Sequence, residues 1–258
     1  MCAVPTTTIE RTNIMLNHPT HDKLNQLRLA GMAKALAQQG QHAEIGQLTF
    51  EERLGLLVDA ELAERESRQN GARLKRAKLR QAATLEDIDF RHPRGLDRAL
   101  FARLMTCRWV ADYQNVLLCG PTGVGKTFLA CALANQACRQ GHSALYVRLP
   151  RLLSDLDLGR GDGSYGKILA KLAKTAVLVI DEWALPKLTD DGRRDLLELF
   201  EDRHRSGSTI ITSQLPQSLW HESIGDPTLA DAILDRLVHQ AHSINLSGES
   251  LRKNDKPD

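Results

Sequence analysis

Eight residues, Gly120, Pro121, Thr122, Gly123, Val124, Gly125, Lys126 and Thr127, complete the pattern G-x-x-x-x-G-K-[ST]. An apolar run at 115–119 precedes them and a helical-looking stretch at 128–138 follows, the strand–loop–helix context this pattern needs. Its glycines let successive backbone N–H groups turn inward around a phosphate, and the helix opening near Lys126 adds the positive end of its dipole. On this reading Lys126 reaches the β- and γ-phosphates and the Thr127 hydroxyl holds Mg²⁺. The alternative is a glycine-rich turn that binds nothing, and the strand and helix on either side weigh against it.

A second apolar run, at 176–180, ends in Asp181 and Glu182. A strand buried on both faces looks like this where its C-terminal end opens onto a site. Asp181 would bind Mg²⁺ through its water shell, and Glu182 would polarise the water that attacks the γ-phosphate. The plainer reading has both acids capping the next loop. Residues 208–213 make a further buried strand. Gln214 at its end, or failing that Ser213, would orient the attacking water or sense the phosphate, unless Gln214 merely ends the strand. With strands at 143–149 and 243–246, the expected architecture is an α/β P-loop NTPase. It is a three-layer sandwich with a mostly parallel five-stranded sheet and a strand inserted between the two phosphate motifs. Arg236 falls late in a helix at 229–240, beyond the last site-forming strand. It reads either as a finger into a neighbouring subunit's site, making assembly a condition of hydrolysis, or as a surface arginine offset by Asp231 or Asp235.

The 258 residues have room for this domain and a smaller module. Residues 1–14 are polar and aperiodic and read as a disordered leader, with Met15 an alternative start. Residues 15–83 read as a helical N-terminal domain and 84–258 as the ATPase domain, with Pro93 near the boundary. A helix is expected at 21–38 with Leu24, Leu27, Gly31 and Ala35 on one face. Thr49 and Glu52 form a capping box ahead of a stripe of Leu54, Leu57, Val58 and Leu62. Between 65 and 80 the chain turns basic, and Arg73, Lys75, Arg76, Lys78 and Arg80 would suit a phosphate backbone or simply solvate a connecting helix. The same two readings apply to Lys167, Lys171 and Lys174, which follow an expected flexible loop at 159–166. A net charge of +2 is too mild to imply nucleic-acid binding by itself. The five cysteines lack zinc-ligand spacing. No apolar run approaches a membrane span and no secretory signal opens the chain, so a cytoplasmic protein without membrane contact is expected.

Residues 115–127, 178–183, 208–214, 233–237 and 248–252 together carry a family likeness. From Leu24 to Lys253 the sequence resembles the IstB-like ATP-binding proteins, transposition helper subunits of bacterial insertion sequences within the AAA+ ATPases, similar to DnaC-like helicase loaders. The resemblance implies ATP and Mg²⁺ as ligands, ATP hydrolysis, self-assembly on duplex DNA as a homo-oligomer, and recruitment and stimulation of a partner transposase. It gives Arg236 the arginine-finger role and Arg252 the place of a second sensor. The wider superfamily continues into a helical lid, whereas only a handful of residues follow Arg252 here. A replicative helicase loader and a non-hydrolysing ATP-binding adaptor are the competing functions.

Overall fold

The structure is a computed structural model that describes residues 19–41 and 43–251. The expected leader, Met15 and Arg252 lie outside the described residues. Two compact units divide the chain, Met1–Gln69 and Asn70–Asp258. The division thus falls well before residue 84, because Ala77, Ala83, Leu85 and Ile88 already belong to the core that buries Phe101 and Leu104.

In the first unit, the helix expected at 21–38 is two helices, α1 (Pro19–Gln26) and α2 (Ala30–Gln39). They are separated where Arg28 takes a φ of 59°. The close approach expected at Gly31 is present, since a Cβ there would lie 2.5 Å from the Ala60 carbonyl oxygen. Beside it the Glu61 carboxylate accepts the N–H groups of Gly31 at 2.8 Å and Met32 at 3.2 Å, satisfying donors at the start of α2. Thr49 and Glu52 form the capping box, with Thr49 N–H donating to Glu52 Oε2 at 2.8 Å and Glu52 N–H to Thr49 Oγ1 at 3.3 Å. It opens α3 (Phe50–Ala77). The contact runs through Ala60 and Glu61, so Leu27, Leu54, Val58 and Leu62, expected on packed faces, are exposed.

The second unit is built on five strands, β1 (Asn115–Cys119), β2 (Ala144–Arg148), β3 (Val177–Trp183), β4 (Ser208–Ser213) and β5 (Ala241–Asn245). All pairings are parallel and the order is β2-β3-β4-β1-β5. Strand β4 therefore separates β1 from β3, as the spacing of the two phosphate motifs required. Val116, Leu118, Val177, Val179 and Ile210 pack with α4 (Arg98–Met105), α5 (Arg108–Ala111) and α6 (Lys126–Arg139). Leu117, Leu178, Ile180 and Ile211 pack with the other set, α7 (Leu149–Asp162), α8 (Tyr165–Ala173), α9 (Asp190–Arg203), α10 (Trp220–Ile224) and α11 (Pro227–Val238). Strand alternation thus buries both faces of the sheet. The result is the three-layer α/β sandwich of the P-loop NTPases.

Residues 159–166 are not a loop. Helix α7 continues to Asp162 and ends at Gly163, whose φ of 78° makes it the left-handed cap. Gly159 serves packing instead, because a Cβ there would meet Ile168 Cδ1 at 3.0 Å and Tyr165 N at 3.1 Å.

Arg203 ties the far end of the sheet together. Only 2% exposed, it donates to the carbonyls of Leu172 at 2.6 Å, Thr175 at 2.8 Å and Ser208 at 2.5 Å, and to Thr209 Oγ1 at 3.1 Å. Burial lowers its pKa to about 10. Arg203→Ala strands four acceptors in a dry site and should destabilise the protein by about 3 kcal/mol or more. A urea titration would read this as a lower midpoint at unchanged slope; an unchanged midpoint would show that water replaces the guanidinium freely.

Candidate functional site

Because all five strands are parallel, their C-terminal ends share one edge, where open α/β sheets bind ligands. Strands β3 and β4 stay in register from Val177↔Ser208 to Ile180↔Ile211, then slip so that Trp183 pairs with Ser213. Asp181 and Glu182 thereby face Thr212 alone, and Glu182 absorbs the extra residue at a φ of 66°. Consecutive side chains on a flat strand would point to opposite faces. The bulge bends the strand and brings both carboxylates to one cleft.

Across the cleft, the loop from β1 to α6 places Gly120, Gly123 and Gly125 at φ values of 147°, 92° and 92°. Room is as decisive as conformation. A Cβ on Gly120 would lie 2.3 Å from the Leu246 carbonyl oxygen, and one on Gly123 only 2.1 Å from Ser250 Oγ. The chain after β5 therefore braces the loop, through Leu246 N–H to Cys119 O at 2.7 Å and Leu251 N–H to Gly123 O at 3.0 Å. Inside the loop, Lys126 Nζ donates to the carbonyls of Gly120 at 2.6 Å and Pro121 at 2.7 Å. The N–H groups of Gly123 and Gly125 reach no acceptor among the described residues. Unfilled donors beside an ammonium and a helix N-terminus suit a phosphate.

Asp181 is the most connected group of the site. At 2% exposure it accepts from Thr127 Oγ1 at 3.0 Å, from Tyr146 OH at 2.5 Å and from Thr212 Oγ1, and it faces Arg80 Nη1 at 3.4 Å. Burial, reinforced by the Asp181 hydrogen bond, raises the Tyr146 pKa, so the phenol keeps its proton and remains a donor. Thr127 and Asp181 offer adjacent hard oxygen donors, a set that fits Mg²⁺ held partly through water. Glu182 faces two arginines, Arg80 Nη1 at 3.4 Å from Oε1 and Arg148 Nη1 at 3.8 Å from Oε2. The cleft between loop and carboxylates has a volume of about 390 Å³ and includes Gln214.

The expected site residues separate accordingly. Lys126, Thr127, Asp181, Glu182 and Gln214 share the cleft. Gln214 is exposed there, with no side-chain hydrogen bond among the described residues. Ser213 also borders the cleft, but its hydroxyl donates to Trp183 O at 3.3 Å and accepts Leu215 N–H at 3.1 Å and Trp220 Nε1 at 3.2 Å. Arg236 is elsewhere. Asn115 at the start of β1 donates to the carbonyls of Arg236 and Leu237 at 3.1 and 3.0 Å, whereas the phosphate loop leaves the other end of the same strand.

The family described as IstB-like ATP binding protein matches residues 22–258. The chain belongs to that family. An insertion-sequence ATP-binding protein of Sinorhizobium fredii is 54% identical over 94% of this chain and 99% of its own length. The corresponding protein of IS1162 from Pseudomonas fluorescens is 52% identical over 79% of this chain and 89% of its own. Among solved structures, DnaI shares 24% identity at a TM-score of 0.56, covering 64% of this chain and 91% of that one. The DnaC helicase loader shares 21% at 0.51, covering 66% and 99%. These two likenesses concern the fold.

Several features of this site escaped the sequence. Tyr146 and Thr212 reach Asp181 only through strand register, Tyr146 lying diagonally across β2–β3 and Thr212 opposite the bulge. A run reading A-L-Y-V-R gives no sign of this. The basic residues divide in a way that charge alone did not indicate. Arg73 Nε is fixed on the Cys138 carbonyl at 2.8 Å, and Arg80 enters the cleft. Lys75, Arg76, Lys78, Lys167, Lys171 and Lys174 are exposed. Among the described residues, no helix is long and apolar enough to cross a membrane.

Proposed function

We propose that this IstB-like protein binds and hydrolyses ATP, assembles on duplex DNA, and through that assembly recruits and stimulates a partner transposase. The observation that carries the chemistry is the meeting of Lys126, Thr127, Asp181, Glu182 and Gln214 in one cleft. The biological setting is supported by relatives of high identity and near-complete coverage whose names place them in insertion sequences.

In this reading the loop amides and Lys126 cradle the β- and γ-phosphates, and Thr127 with Asp181 holds Mg²⁺, which neutralises charge on the phosphates when bound. Thr212 and Tyr146 fix the Asp181 carboxylate by hydrogen bonds, so it is oriented before ligands arrive. Glu182 accepts the proton of the attacking water and Gln214 orients that water. Arg236 acts in trans. Its backbone is held at the start of β1, and the five residues of that strand separate it from the phosphate loop, roughly 17 Å at ~3.3 Å per residue. Its side chain pairs with Glu201 at 2.7 Å. A partly exposed pair of this kind is worth only about 0–1 kcal/mol, so a neighbour's phosphate could draw the guanidinium away. The six exposed lysines and arginines named above are the candidate DNA contacts.

Phosphate release with and without duplex DNA tests the reading. Turnover should rise with DNA, and Lys126→Ala should weaken ATP binding by about 100-fold, as loss of a charge-assisted contact to phosphate does. ATP binding without any turnover in the DNA-bound assembly would instead indicate the adaptor. Co-purification with a hexameric helicase rather than a transposase would indicate the loader.

A further inference from the structure

Arg80 was grouped by sequence with the DNA-facing cations, yet it occupies a different place from its neighbours. Helix α3 ends at Ala77, and Lys78 with a φ of 50° turns the chain. The turn leaves Lys78 exposed and sends Arg80 into the cleft beside Gln81, Thr122, Gly125 and Lys126. There one guanidinium nitrogen is shared between Asp181 Oδ2 and Glu182 Oε1, both at 3.4 Å. Both ion-pair contacts are long, and the side chain is 44% exposed. It is therefore held in place without being locked.

We propose that Arg80 is a nucleotide-sensing cation supplied in cis, which leaves the acid pair for the terminal phosphate of ATP. The inference rests on the nucleotide reading of the cleft. Asp181 is the group that reading assigns to Mg²⁺, so the carboxylate that holds Arg80 is the one whose charge a bound cation would compensate. The guanidinium then lies in the same cleft as Lys126 with five donors and weakened partners, and the γ-phosphoryl group of ATP supplies a pair of oxygens it can bind bidentately. ADP ends at the β-phosphate and lacks this γ-phosphoryl group. Arg80 would thus favour ATP over ADP, and its position just past α3 links the basic run at 73–78 to the nucleotide state.

The test is equilibrium titration of full-length protein with fluorescent ATP and ADP analogues in Mg²⁺, comparing wild type with Arg80→Ala and Arg80→Lys. Arg80→Ala should weaken ATP about tenfold and leave ADP unchanged. Arg80→Lys should fall between, since it keeps the charge but loses the fork. Unaltered ADP affinity also reports that the variants are folded. Equal loss for both nucleotides, or loss for neither, overturns the proposal, as does an unchanged ATP/ADP ratio with weakened duplex-DNA binding. If wild type binds neither analogue, the nucleotide reading of the cleft falls, and Arg80's role falls with it.

Discussion

Arg236→Ala should leave ATP affinity at the wild-type level and reduce turnover in the assembled protein by about 10³- to 10⁵-fold, the range over which an arginine finger acts. Affinity is spared because Arg236 is anchored at the opposite end of β1 from the phosphate loop and is absent from the cleft lining. The loss of rate follows from what the cleft holds. Lys126 and Arg80 are already committed to the ground-state phosphates and Arg148 faces Glu182, so the charge that develops between the phosphates at the transition state calls for a further cation from outside. Complementation makes the trans assignment decisive. An Arg236→Ala subunit keeps an intact cleft, and a Lys126→Ala subunit keeps an intact finger, so mixing two nearly inactive preparations should restore turnover. Restoration should rise with protein concentration. If the mixture stays inactive while both variants still assemble, Arg236 is a surface residue of α11 whose function is its Glu201 pair.

The architecture was legible because its signals are local. The glycine spacing at 120–127, the apolar run before Asp181 and the polar end of β4 each announce themselves within a dozen residues, and a parallel sheet brings such strand ends to one edge automatically. What stayed hidden depends on register and approach. No property of residues 176–183 taken alone reveals that β3 slips against β4, and the slip is what brings Asp181 and Glu182 to one cleft. Gly159 reads as a loop residue in sequence, and only the Ile168 contact explains it as helical packing. The basic run at 73–80 is periodic enough to suggest one function, but a turn at Lys78 gives its members separate environments. Charge counts carry no such direction. The apolar stripe of α3 fails for a related reason: its contact with α2 is decided by the small residue Gly31 meeting Ala60, and a single close approach rotates the helix away from the face that hydrophobicity would choose.

Glu182→Gln should lower turnover by about 10²- to 10⁴-fold, the usual contribution of a positioned general base, and should preserve ATP binding. The amide keeps the shape of the side chain, so the bulge and its φ of 66° at this position face no new steric demand. What disappears is one negative charge and the ability to accept a proton. Arg80 and Arg148 then lose an anionic partner, which leaves the cleft more positive, so ATP should bind as tightly as before or more so, and DNA assemblies should persist because the nucleotide is not consumed. Asp181→Asn is the contrasting case. Three hydroxyls, from Thr127, Tyr146 and Thr212, donate to that carboxylate, and an amide nitrogen in their midst would oppose at least one of them while weakening the metal site. Its ATP affinity should therefore fall in Mg²⁺, whereas Glu182→Gln should not. Single-turnover phosphate release measured beside nucleotide titration separates the two carboxylates. Should Glu182→Gln retain wild-type turnover, or lose affinity as Asp181→Asn does, the division of labour between metal ligand and base would have to be reassigned.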